Sequence, residues 1–321
     1  MSRQELRHLA EYVAFRIALA VLDALPPRAA RSLAETAAFI VHRCLPRKFT
    51  RYHVARENIR TAFGDRLDER QIDRTIYRMW VHLFRMVAEI VQMPRKFRLY
   101  NCADITKFRN RDQIVKTLCC GRPVIVLSGH FGNWEIANST FGVFGFRMGV
   151  VARDLDNPYL HEWFEDFRVS TGHRLFSKRG GGGTMVDLLE RRGHLALLGD
   201  QDAGSRGLFV PFFGKEASTF KSIAILALQH NAVICVGYAR RLKDDFDNSP
   251  WVRYELGCES IIDPLKIESA DPIREITLQY TAALERVIRR APEQYFWVHR
   301  RWKSVPRARR KRNRAARLKS A

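Results

Sequence analysis

Short apolar runs and longer amphipathic stretches alternate along the chain from residue 121 onward. Runs at 123–128, 147–151, 194–199, 207–213 and 232–239 are rich in Val, Ile, Leu and Phe and have the length of strands. Stretches at about 133–142, 157–170, 183–192, 219–230 and 271–291 carry the helical period instead. This alternation predicts an α/β fold, a mostly parallel sheet flanked by helices. Before residue 121 the pattern is helical throughout. One helix stops at Pro26-Pro27, a second spans about 28–44, a third covers RKFTRYHVARENIRTAF, and a long one runs from about 68 to a stop at Pro94. The pattern divides the chain into a helical N-terminal extension (1–120), an α/β domain (121–303) and a basic tail (304–321).

Charge changes this picture more than composition does. The 321 residues include 55 Lys and Arg against 34 Asp and Glu, a formal charge of +21, so anionic partners are favoured. Eleven of the basic residues lie from Arg300 onward, a stretch without an acid. Such a run predicts a disordered tail that attracts anionic lipid, with nonspecific nucleic-acid affinity as the competing use. No recognised RNA- or DNA-binding motif accompanies it, so a specific nucleic-acid partner is not expected.

Six cysteines show no CxxC and no regular spacing, which argues against a disulfide framework or a zinc site. MSRQELRHLAEY places charges where the apolar core of a secretory signal would begin. The most apolar stretch, 9–25, is interrupted by Glu11, Arg16 and Asp23 and is not a spanning segment. It reads either as a helix lying in a membrane interface or as one packed on the domain.

The chemistry concentrates in PVIVLSGHFGNWE, 123–135. A buried strand ends at Ser128-Gly129, and His130, Asn133 and Glu135 follow where a helix begins. In open α/β sheets ligands bind at that edge. The His-x4-acid spacing is weak alone, since ten histidines in this chain predict about one match by chance. Two occur. His161 and Asp166 sit inside a helical stretch, where five residues rotate a side chain by roughly 140° off the shared face. His130 and Glu135 straddle a strand-to-helix turn that can bring them together. His130 is therefore expected to be a general base and Glu135 the carboxylate that orients it. Asn133 suits the helix cap.

GHFGNWE resembles the His-x4-Asp/Glu block of the lysophospholipid acyltransferase superfamily, and within it the late acyltransferases of lipid A biosynthesis. Three further blocks agree in order: VVARDLDNPYL (150–160), LLGDQDAGSRGLFVPFFGKEA (197–217) and PEQYFWVHRRWK (292–303). The resemblance spans about 123–303. It implies transfer of a fatty acyl chain from acyl carrier protein to a hydroxyl of a lipid A precursor, without metal or cofactor. A lysophospholipid or other glycolipid acceptor is the alternative. It places the protein at the cytoplasmic face of the inner membrane, on an anionic surface. It implies that Arg153 binds the acceptor or donor, and that Asp200 orients Arg153 or substrate, with Asn133 beside them. Ala152 and Asp154 replace the aromatic and proline that commonly flank Arg153 in the family. GLFVPFFG reads either as an acyl-chain groove or as a core strand. PEQYFWVHRRWK reads as a headgroup interface or as packing beside the sheet.

Overall fold

The computed structural model describes residues 2–152, 155–177 and 182–306. Arg153, the first half of the 180–183 glycine run and the tail from 307 onward lie outside them. The N-terminal region supplies α1 (Arg3–Ala24), α2 (Pro27–Phe39, ending in a single π turn), α3 (Tyr52–Phe63) and α4 (Glu69–Lys96). α1 and α4 each open on a capping box, Ser2 with Glu5 and Asp68 with Gln71. Pro94 does not stop α4, which carries it in its last turn and continues to Lys96.

Then come α5 (Cys102–Ile105), β1 (Thr106–Arg109), α6 (Arg111–Leu118), β2 (Val124–Ser128), α7 (Trp134–Val143), β3 (Met148–Ala152), α8 (Pro158–Val169), β4 (Arg174–Ser177) and α9 (Gly182–Glu190). The chain continues through β5 (His194–Leu198), the hairpin β6 (Leu208–Phe212) and β7 (Lys215–Thr219), α10 (Lys221–Gln229), β8 (Val233–Arg241), β9 (Tyr254–Ile262) and α11 (Pro272–Arg290).

Seven described strands form one sheet in the order β1-β9-β8-β2-β5-β3-β4. Every neighbouring pair is parallel except β8 and β9. This is the expected mostly parallel α/β sheet. Four features went unforeseen: β1, β4, β9, and the folding of 207–219 into a separate hairpin.

Val124, Ile125, Val126 and Leu127 of β2 are all buried, as a central strand covered on both faces requires. One cluster packs Leu127, Leu195 and Ile234 against α10 and α11; another packs Val126, Val150 and Ala196 against α6. A third joins Ile59 of α3 and Ile76 and Met79 of α4 to Phe212, Tyr238, Val287 and Trp297. The core thus runs without interruption across residue 120.

Phe212 of the GLFVPFFG segment is 1% exposed within that third cluster, so the segment is core strand. Trp297 and Arg301 of the last block are buried too. Arg301 donates to the Ser218 carbonyl at 2.6 Å and to Thr219 Oγ1 at 2.8 Å, which locks the block onto the hairpin.

Candidate active site

The register of two adjacent strands builds the site. β2 and β5 are parallel, with Ser128 opposite Leu198. Two residues past each strand end stand His130 and Asp200. The same offset therefore sets an imidazole beside a carboxylate at the carboxyl edge of the sheet. His130 Nδ1 lies 2.8 Å from Asp200 Oδ1, and the His130 backbone N–H donates to Oδ2 at 2.9 Å.

Asp200 is 1% exposed. Burial would raise its pKa, but the pull of His130 overrides it and holds the carboxyl below its ordinary value. An ionised Asp200 fixes the proton on Nδ1 and leaves the Nε2 lone pair at the far side of the ring, where the Gln201 amide approaches to 3.3 Å.

The loop that carries His130 is held from behind. Gly132 has φ +60°, and a Cβ there would stand 1.8 Å from the Ala239 carbonyl oxygen, so no other residue fits. The Gly132 N–H donates to the Gln294 carbonyl at 2.9 Å, and the Phe296 N–H to the His130 carbonyl at 3.0 Å. The last sequence block therefore braces the loop. Its His299 ring stands 5.8 Å from that of His130, and burial pushes the His299 imidazole down to about 4. His130, Asp200 and His299 each offer a donor atom within 4.8 Å of the others, a grouping able to hold a metal ion. Each oxygen of Asp200 also accepts one hydrogen bond from His130.

His130 opens onto a cavity of about 770 Å³. Its lining includes Trp134, Glu135, Arg168 and Gln201 and many apolar side chains, among them Val126, Val150, Ala196 and Leu256 from the sheet and Phe141 from α7. Such a cavity accepts a hydrocarbon chain and sets a few polar side chains beside it.

Three sequence expectations change here. Glu135 does not orient His130: its carboxylate pairs with Arg168 at 2.8 Å, because α7 begins at Trp134 and directs Glu135 toward α8. Asp200, expected to orient Arg153 or substrate, is the partner of His130. Asn133, expected beside substrate, is fully buried. It accepts the Ile136 N–H at 3.1 Å as a helix cap and donates to the Tyr254 hydroxyl at 3.1 Å. Arg153 lies outside the described residues. Gln201 and His299 were assigned no role from the sequence, although both lie inside the recognised blocks.

The sequence model of bacterial lipid A biosynthesis acyltransferases matches residues 2–304. The chain belongs to this family. The match extends well before residue 123, where the motif resemblance begins. The chain is 27% identical over 188 residues to the lipid A biosynthesis lauroyltransferase of Escherichia coli K12, covering 58% of each chain. It is 26% identical over 198 residues to the palmitoleoyltransferase of that strain, 61% of this chain and 60% of the relative. The matched regions thus span about three-fifths of these relatives. The solved 1-acyl-sn-glycerophosphate acyltransferase of Thermotoga maritima aligns with 90% of this chain and 98% of its own, at 13% identity and a TM-score of 0.36. Among the described residues, no helix of this family member is long and apolar enough to cross a membrane.

Proposed function

We propose that the protein is an O-acyltransferase that moves a fatty acyl chain from an acyl carrier protein thioester to a hydroxyl of a lipid A precursor. The observation that carries this reading is the His130–Asp200 pair, with His130 lining a largely apolar cavity of about 770 Å³. His130 Nε2 takes the hydroxyl proton as the acceptor oxygen attacks the thioester carbonyl, and Asp200 stabilises the imidazolium that forms. Collapse of the tetrahedral intermediate breaks the carbon–sulfur bond, and the departing thiolate takes the proton back. The acceptor oxygen attacks directly, so no acyl-enzyme is needed.

The apolar cavity holds the hydrocarbon chain. Glu135 fixes Arg168 on the cavity wall, where a guanidinium meets an anionic group of donor or acceptor. An acidic carrier protein and an anionic membrane both suit a chain of charge +21. In this reading the outer surface of α1 rests on the cytoplasmic face of the inner membrane.

The test is acyl transfer by His130→Gln and Asp200→Asn, with lipid products read by mass spectrometry. Loss of the base abolishes transfer. Asp200→Asn, which no longer fixes the tautomer, lowers kcat about 10³- to 10⁴-fold. Undiminished transfer by His130→Gln would overturn the mechanism, and a product other than acylated lipid A precursor would reassign the acceptor.

A further inference from the structure

Beneath the catalytic loop, side chains from three elements close a ring of hydrogen bonds that begins and ends on adjacent loop residues. His82 of α4 donates from Nε2 to the Gly132 carbonyl at 3.1 Å. Its Nδ1 accepts from Arg241 of β8. Arg241 grips Glu89 of α4 through two bonds, Nε to Oε1 at 2.9 Å and Nη2 to Oε2 at 2.5 Å. The Tyr254 hydroxyl of β9 donates to Glu89, and the Asn133 amide returns to that hydroxyl at 3.1 Å. His82, Glu89, Arg241, Tyr254 and Asn133 are all buried.

The ring has one proton arrangement. Burial, with Arg241 adding to it, holds His82 well below its ordinary pKa, so the imidazole is neutral. Facing a guanidinium, Nδ1 carries the lone pair, and Nε2 must carry the hydrogen that Gly132 receives. The Arg241 backbone is pinned as well, since its N–H and carbonyl both bond the Gln294 amide side chain, at 2.8 and 2.9 Å. Gln294 in turn accepts the Gly132 N–H through its own carbonyl.

We infer that this ring makes His82, Glu89, Arg241 and Tyr254 positioning residues that clamp the 132–133 turn and so hold His130 against Asp200. The N-terminal helical region is then part of the catalytic apparatus. This inference rests on His130 as the base, and its role is to hold the Nε2 lone pair in line with the acceptor hydroxyl. A displacement near 1 Å from a distant change costs about 10²-fold in rate.

Tyr254→Phe removes one oxygen and opens the ring at two bonds with little change of volume; His82→Leu opens it at Gly132 and at Arg241. His82→Gln keeps a donor and an acceptor on one side chain. With acyl carrier protein thioester and lipid A precursor as substrates, Tyr254→Phe and His82→Leu are expected to lower kcat about 100-fold. KM should stay within about twofold, and His82→Gln should recover most of the loss. The full-length protein labelled with ¹⁵N-histidine gives a second readout, the downfield Nδ1–H resonance that disappears in His130→Gln. It should shift or broaden in Tyr254→Phe and His82→Leu and recover in His82→Gln.

Wild-type kcat together with an unmoved resonance in Tyr254→Phe would overturn the inference. If His130→Gln remains fully active, the base assignment fails instead, and the resonance alone then judges the clamp.

Discussion

Helices α1 and α4 look alike as sequence, both long, rich in apolar residues and studded with arginine. They do opposite things. α4 buries a face of Ile72, Ile76, Met79 and Met86 together with the polar His82, Glu89 and Gln92. α1 buries only His8. Its Leu6, Val13, Ile17 and Val21 are 48–61% exposed and fall within an arc of about 80° at 100° per residue. The other side of α1 leans on α8, through Tyr12 on Tyr159 at 5.6 Å and Phe15 on Trp163 at 5.1 Å. α4 is thus core with polar groups built in, and α1 is apolar on two sides with one side uncovered. The contrast shows that apolar content alone does not say which helix serves the site. Partners decide it.

Glu89→Leu should separate the two helices most sharply. It removes the counter-charge from Arg241, which stays buried and charged, and breaking such a pair costs about 3–5 kcal/mol. The denaturant midpoint should fall accordingly, and acyl transfer should fall with it. A loss below about 1 kcal/mol would put Glu89 in the class of surface residues and erase the distinction from α1.

Acid should act next most strongly, and on the same side of the comparison. Burial lowers the pKa of His82 on α4, and likewise those of His173, His194 and His299. For each, the unfolded chain binds a proton at a pH where the native state does not, so stability falls as pH falls. For His299 the window runs from the ordinary 6.5 down to about 4, on the order of 3 kcal/mol once both states are protonated. Asp200 leans the same way, in a more acid window. Its depressed pKa gives stability that is present above the ordinary carboxylate value and lost only at more acid pH. Thermal melts between pH 7 and 4 (about the span of these shifts) should show a steady drop, and His299→Gln should flatten it. A flat profile in the wild-type protein would contradict the buried neutral histidines.

Much of the α/β half was legible because its signals are local. Strand runs, the Asn133 cap and the His130 block each need only a few neighbouring residues. What escaped was set by distant pairing. Glu135 sits at the right spacing from His130, yet the partner of His130 comes from a strand 70 residues later, through the β2–β5 register. β9 carries Glu255, Gly257 and Glu259 among its nine residues, and its pattern reads as a strand only beside β8. On α4, His82 and Glu89 are polar residues, and no neighbouring residue in the sequence supplies the hydrogen-bond partners that their burial needs. They are buried because Arg241 and Tyr254, more than 150 positions away, supply their bonds.

The smallest expected effect on the fold is also the one that tests what covers α1. Ile17 is 61% exposed, and Ile17→Asp should change stability by no more than about 0.5 kcal/mol, as for other surface sites. If the outer face of α1 lies in a lipid interface, the same change removes an apolar side chain worth about 1.5–3 kcal/mol when fully buried, and it adds a negative charge beside anionic headgroups. Flotation with anionic vesicles should then show binding weakened at least about tenfold, while the melting temperature hardly moves. Ile76→Asp on α4 provides the converse, because Ile76 has no exposed surface and a carboxylate there should unfold the protein rather than release it from lipid. Equal flotation of Ile17→Asp and wild type would show that this side of α1 does not meet the membrane.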